Sequence, residues 1–203
     1  MRKIKAQLFI SLDGVVEEPG EWHFPYYNDE MGVAVNSTLG QADTLLLGRR
    51  TYDSFAGAWP EREAAGGPDA PFAKSLGDAR KYVVSRSPLS FTWRQSFQLE
   101  GEFTEAVTAL KNDPAATSDS PIWVSGSVSV VRRLLAAGLL DELHLLVHPI
   151  VLGHGNRLFE EAERPVPLEL VSSETFTTGV LNLFYAPAPA PADAGYEEAR
   201  NHL

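Results

Sequence analysis

Short apolar runs punctuate the chain, and between them apolar residues recur at helical spacing, which predicts strands alternating with helices. Ile4 to Leu12 is apolar, with β-branched and aromatic residues, and stops at Asp13-Gly14: a first strand closed by a turn. Pro19-Gly20 and Pro25 mark a loop carrying Trp22, Phe24, Tyr26 and Tyr27. Asn28 then caps a helix with Asp29 and Glu30 in its first turn, at the positive end of the dipole, and this helix fades near Gly40. Thr44 to Leu47 is a buried strand running into a helix at Gly48-Arg49-Arg50-Thr51-Tyr52, and residues 60–70, with Gly66-Gly67-Pro68, read as a polar loop.

Lys81 to Ser85 is a further strand, followed by a strand near Phe91–Leu99, a helix near Thr104–Lys111 and a polar loop over 112–120. Pro121 to Ser125 is a strand, Gly126-Ser127 a turn, and Val128 to Ala137 a helix with Gly138 as its C-cap. Leu143 to Leu152 is apolar almost throughout, which predicts a long central strand. The runs 168–176 and 180–186, separated by Thr177-Thr178-Gly179, form an antiparallel hairpin. The pattern is that of one α/β domain over residues 1–186, with 187–203 as an Ala/Pro-rich, acidic, disordered tail.

Composition narrows the chemistry. The 203 residues hold no cysteine, which excludes disulfides, thiolate catalysis and Cys-ligated metals. Acidic residues number 27 against 17 basic, a net charge of −10 with no sharp basic cluster, so neither nucleic acid nor an anionic membrane is an expected partner. No signal-type segment follows Met1-Arg2-Lys3 and no run approaches the ~20 apolar residues of a membrane span, which makes a soluble, cytoplasmic protein the expectation. His144 and His148 stand four apart on one strand, roughly 13 Å at the usual strand rise, too far to share a metal; no metal site is expected.

Three strand ends concentrate phosphate-binding groups: Gly48-Arg49-Arg50-Thr51, Ser85-Arg86 and Gly126-Ser127. Free N–H groups at a helix start suit phosphate oxygens, and open α/β sheets bind ligands at the carboxyl ends of their strands. Each glycine alone is equally well a tight turn; the three junctions together favour a site. Asp13 is either a turn residue or a carboxylate beside the ligand, and His23, Tyr26, Tyr27, Asp29 and Glu30 are candidates for lining the substrate side or for capping and packing.

Ser11-Leu12-Asp13-Gly14, Leu46-Leu47-Gly48-Arg49-Arg50-Thr51-Tyr52 and Trp123-Val124-Ser125-Gly126-Ser127 are followed in order by Gly138 to His144 and Pro149 to Gly155. This set resembles the dihydrofolate-reductase-like family, in the group of the C-terminal reductase domain of the bifunctional riboflavin-biosynthesis protein, over about residues 3 to 186. The resemblance implies a three-layer fold with a central, mostly parallel sheet, and an NADPH-dependent reductase, while the aromatic loop Trp22–Tyr27 points to a small, flat, heteroaromatic substrate. It also implies a homodimer, joined through the strand near 143–152. It would place Gly48, Arg49, Arg50 and Thr51 at the adenosine 2′-phosphate and pyrophosphate, with Ser85 and Arg86 flanking the adenosine phosphate. Gly126, Ser127 and Val128 would cradle the pyrophosphate, and Asp13 and Gly14 would lie near the nicotinamide and substrate; on the chain's own residues Asp13 is the first candidate catalytic group, and Trp22, Tyr27, Asp29 and Glu30 are the candidates for the substrate side. The chain departs from the family in lacking a clearly aligned acid on the first helix and an Asp-Asp-Pro segment after the second strand, having Asp53-Ser54-Phe55 there instead. A non-catalytic nucleotide-binding module on the same fold is the alternative.

Overall fold

The computed structural model describes residues 1–113, 119–159 and 165–190. Eight strands form one sheet. In chain order they are β1 (Ile4–Ser11), β2 (Thr44–Gly48), β3 (Arg80–Val84), β4 (Ser96–Gln98), β5 (Ile122–Ser125), β6 (Glu142–His148), β7 (Leu168–Thr175) and β8 (Leu181–Pro187). Their spatial order is β4-β3-β2-β5-β1-β6-β8-β7. The first six neighbours run parallel, and β8 and β7 are antiparallel. The helices are α1 (Asp29–Thr38), α2 (Arg49–Ala65), α3 (Ala70–Asp78), α4 (Phe103–Lys111) and α5 (Val128–Ala136).

Alternation along each strand sorts the apolar residues into two layers. Ile4, Ala6, Leu8 and Ile10 of β1 pack with Val107 of α4 and Val131 and Leu134 of α5. On the other face, Leu45 and Leu47 of β2 and Trp123 of β5 meet Tyr52 of α2 and Leu76 of α3, while Leu146 of β6 meets Met31 of α1. Strands buried on both faces need apolar residues at successive positions, which is why the sequence reads Leu45-Leu46-Leu47 there.

Three expectations are corrected. Residues 60–65 are not a loop: α2 continues through Pro60 and ends at Gly66, whose φ of 68° is the left-handed turn that releases a helix. α3 follows four residues later and buries Ala73 and Leu76. The strand near 91–99 shrinks to Ser96–Gln98, because Phe91 and Trp93 pack on Tyr52 instead. The strand near 143–152 ends at His148, since Pro149 has no N–H to extend the ladder and Ile150 N–H turns back to the His148 carbonyl at 2.8 Å. Both edges of that strand are paired, one with β1 and the other with β8. Part of the expected 112–120 loop and residues 191–203 of the expected tail lie outside the described residues.

Lys81 is a charged residue within the core. Its ammonium donates to the carbonyls of Leu76 (2.9 Å), Gly77 (2.9 Å) and Ala79 (2.6 Å), closing the C-terminus of α3, and lies 4.2 Å from the Trp93 ring. Burial pulls its pKa down to about 8.

Candidate functional site

The parallel strands bring the ends of β2, β3, β5 and β1 to one rim, where α2 and α5 begin. The two helix starts are fastened to each other by one side chain. Ser127 is the residue before α5, yet its hydroxyl does not cap that helix. It accepts from the Gly48 N–H at 2.6 Å and donates to Thr51 Oγ1 at 2.7 Å. Gly126 (φ 66°) and Ser127 (φ 59°) are both left-handed, a conformation costing a serine about 1 kcal/mol or more, and one that turns β5 sharply into α5. A Cβ at position 48 would stand 3.1 Å from Ser127 Oγ, so a side chain there would press on the bridging hydroxyl by a few tenths of an ångström. The first amides of a helix have no carbonyl partner within it, and neither α2 nor α5 receives a side-chain cap. Two positive helix ends thus converge on one rim.

Arg49 extends this rim towards β3. Its Nη1 donates to Ser87 Oγ at 3.0 Å and its Nε lies 3.4 Å from Asp53. Ser85 Oγ donates to the Ser87 carbonyl at 2.8 Å and accepts from the Ser87 N–H at 3.2 Å, folding the loop after β3 against α2. Arg50 and Arg86 are exposed to solvent. The structure therefore brings Gly48, Arg49, Thr51, Ser85, Gly126 and Ser127 together, adds Ser87, and puts Val128 in the first turn of α5.

At the end of β1, Asp13 is held by its neighbours. One carboxylate oxygen accepts from the Ser11 hydroxyl (2.7 Å) and the Leu152 N–H (3.1 Å); the other accepts from the Gly153 N–H (2.9 Å) and faces Arg157 Nη2 at 3.4 Å. The Ser11 hydroxyl first, then the two amides, hold its pKa well below the usual carboxylate range. It remains an anion at neutral pH and anchors the 149–157 segment to β1. Gly14 takes part in the same junction, its carbonyl accepting from the Leu158 N–H at 2.8 Å, and Glu17 accepts from Asn156 N (3.0 Å) and Nδ2 (2.7 Å).

The aromatic loop folds as two short 3-10 turns, Pro19–Glu21 and Phe24–Tyr26, over the end of β1 and β6. Trp22 and His23 are buried, His23 stacking on Phe9 with ring centroids 4.5 Å apart and planes 13° apart. His148 meets Phe9, Trp22, His23 and Tyr26 edge-on at 5.6, 5.1, 6.1 and 5.7 Å. Burial, then the His148 charge, pulls the His23 pKa down to about 4; burial also lowers that of His148. Tyr27 is half exposed and Asp29 exposed. Burial, then the charges of Asp69 and Asp29, raises the Tyr27 pKa. Glu30 turns away to the β7–β8 hairpin, where it accepts from Thr177 Oγ1 (2.7 Å), Thr177 N (2.8 Å) and Asn28 Nδ2 (2.6 Å). These bonds, the Thr177 hydroxyl foremost, lower its pKa. Sequence reasoning missed Phe9, Ser87, Arg157 and the role of His148. The one available signal was polarity: a histidine inside an otherwise apolar strand needs a reason to be there.

Among the described residues no three His, Asp or Glu side chains gather in a metal-binding cluster, and no helix is long and apolar enough to cross a membrane.

Comparison with known proteins places this geometry. Residues 2–182 match the RibD C-terminal domain. The Bacillus subtilis (strain 168) protein YyaP, whose activity is unassigned, is 32% identical over 187 residues, 91% of this chain and 94% of its own. Among solved structures, a candidate riboflavin-biosynthesis protein from Shewanella sp. PV-4 superposes with a TM-score of 0.68 at 19% identity, over 92% of this chain and 99% of that one. A pyrimidine reductase-like protein from Corynebacterium diphtheriae gives 0.61 at 17%, over 93% and 92%. The two structures share the fold, and the match over nearly the whole sequence fixes the kinship: this chain belongs to the RibD C-terminal domain family.

Proposed function

We propose that the protein is an NADPH-dependent reductase of a small, planar heteroaromatic molecule of pterin or aminopyrimidine type. The observation that carries this reading is the Ser127 bridge, which fixes the starts of α2 and α5 against each other at one rim. The residues present fit a dinucleotide phosphate: uncapped helix amides for the pyrophosphate, and the Arg49 guanidinium with the Ser85–Ser87 turn for a further phosphate. A net charge of −10 is no obstacle, because only the local field at the rim matters to a small ligand.

When bound, the nicotinamide supplies a hydride. The chain's own contribution is geometric. Gly126, Ser127 and Val128 hold the pyrophosphate; Arg49, Arg50, Thr51, Ser85 and Arg86 surround the adenosine end. Asp13 and Gly14 fix the 149–157 segment beside the substrate, which makes Asp13 a positioning residue instead of a proton donor. Trp22 to Tyr27 excludes water over the reacting rings.

A second reading, a nucleotide-binding module without turnover, is favoured by two facts: both oxygens of Asp13 are engaged, and Glu30 is drawn to the hairpin. NADPH oxidation followed by absorbance against pterins, aminopyrimidines and quinones separates the two. Turnover with any of these supports the reductase; cofactor binding with no turnover across the panel supports the module.

A further inference from the structure

We propose that Arg132 is a positioning residue: through it, α5 couples a ligand at the rim to the 149–158 segment, and so to Asp13. The helix has two attachments. At its start stands Ser127, tied to Gly48 and Thr51. Five residues on, about 7.5 Å along the axis, Arg132 reaches across to the segment after β6. Its Nε donates to the Leu158 carbonyl at 2.9 Å, and its Nη2 donates to the Arg157 carbonyl. One planar guanidinium on two successive carbonyls fixes both the height and the tilt of that stretch, which a single ammonium does not.

The grip extends to the carboxylate. Arg157 Nε donates to the Asp13 carbonyl at 2.8 Å, and the Leu158 N–H to the Gly14 carbonyl at 2.8 Å. Further along, the Leu12 N–H donates to the Ile150 carbonyl (2.8 Å) and the Val16 N–H to the Asn156 carbonyl (3.0 Å). With the Leu152 and Gly153 amides on Asp13, these bonds make the segment and the turn after β1 one unit. Gly155 lets the two sit close: its φ is 103°, and a Cβ there would stand 2.7 Å from Val15 Cγ1.

Among the described residues, Arg132 alone hydrogen-bonds this unit to an α-helix. Leu158 adds the apolar half of the joint, being 0% exposed in the same layer as Val130, Val131 and Leu134 of α5. A ligand held on the first amides of α5 restrains the helix, and Arg132 passes that restraint to the backbone around Asp13. By reciprocity, whatever settles beside Asp13 steadies the start of α5. The identity of the rim ligand rests on the reductase reading; the tie between helix and segment does not.

Amide hydrogen exchange of the full chain tests the coupling, with 2′-phospho-ADP-ribose as the probe. This molecule carries the phosphates of NADPH and has no nicotinamide to touch the segment. Saturating probe should slow exchange in the first turns of α2 and α5 and, about fivefold, at the Leu152, Gly153 and Leu158 amides. In R132M the slowing at the helix starts should persist, with the probe's affinity unchanged, and that at the three segment amides should vanish. R132K, with one ammonium for two carbonyls, should lose most of it. A purely structural role would speed those three amides in the absence of probe and leave the slowing by probe in place. That result overturns the proposal, as does slowing in the wild type confined to the helix starts. If R132M does not fold, R132K and the wild type decide on the same readings. No slowing at the helix starts overturns the reductase reading itself, and the coupling falls with it.

Discussion

A single hydroxyl does the joining at the rim. Ser127 satisfies the Gly48 N–H and holds Thr51, so S127A should leave a partly buried donor unpaired and cost about 1–2 kcal/mol in stability, read by denaturant unfolding. It should also weaken NADPH binding about tenfold, because the two helix starts are no longer held to one point. Arg49 acts more narrowly. R49A is expected to lose NADPH affinity about tenfold while leaving NADH affinity nearly unchanged, as one phosphate contact is removed. At the core, K81M would leave three carbonyls at the end of α3 unpaired and should destabilise by about 2 kcal/mol or more, with cofactor binding intact in the folded fraction. Most of the rim was legible in the sequence, since three strand ends carrying glycine, serine and arginine recur where open α/β sheets bind ligands. Asp13 was legible as a turn carboxylate, but its partners Leu152 and Gly153 lie 139 and 140 residues away and no local pattern announces them.

At the scale of elements, the segment Pro19–Tyr27 is the part that pH should loosen. His23 has its pKa lowered from the ordinary 6.5 to about 4, so the unfolded chain binds the extra proton between these values. The stabilisation tied to neutral His23 is therefore complete above pH 6.5 and is lost as pH falls towards about 4. His148 and His144, also lowered, add to the same slope. Thermal unfolding from pH 7 to pH 4 should show a falling Tm, and H23F, which keeps a ring on Phe9 but cannot titrate, should fall less. The same drop in both proteins would place the titration elsewhere. Elements were legible where burial on both faces forces unbroken apolar runs, as in β2 and β5. They were illegible where tertiary packing overrode local pattern: α2 persists through Pro60, and Phe91 and Trp93 leave the sheet for Tyr52.

For the molecule as a whole, the sheet order puts every proposed phosphate-binding residue at one edge of the fold. The segment over β1 and β6 lies beside them, so the proposed cofactor and substrate sites are neighbours. The family kinship establishes the scaffold, and the activity rests on whether that edge binds a dinucleotide. Thermal unfolding with NADPH tests this most directly. A ligand at a hundred times its Kd adds about 2.7 kcal/mol, which for a domain of this size is about 5 to 10 °C in Tm. Such a rise is expected with NADPH, a smaller one with NADH, and loss of about half of the NADPH shift in S127A and R49A, each tenfold weaker in affinity. A Tm that does not move in millimolar NADPH, or that moves equally in the wild type and both variants, would contradict it.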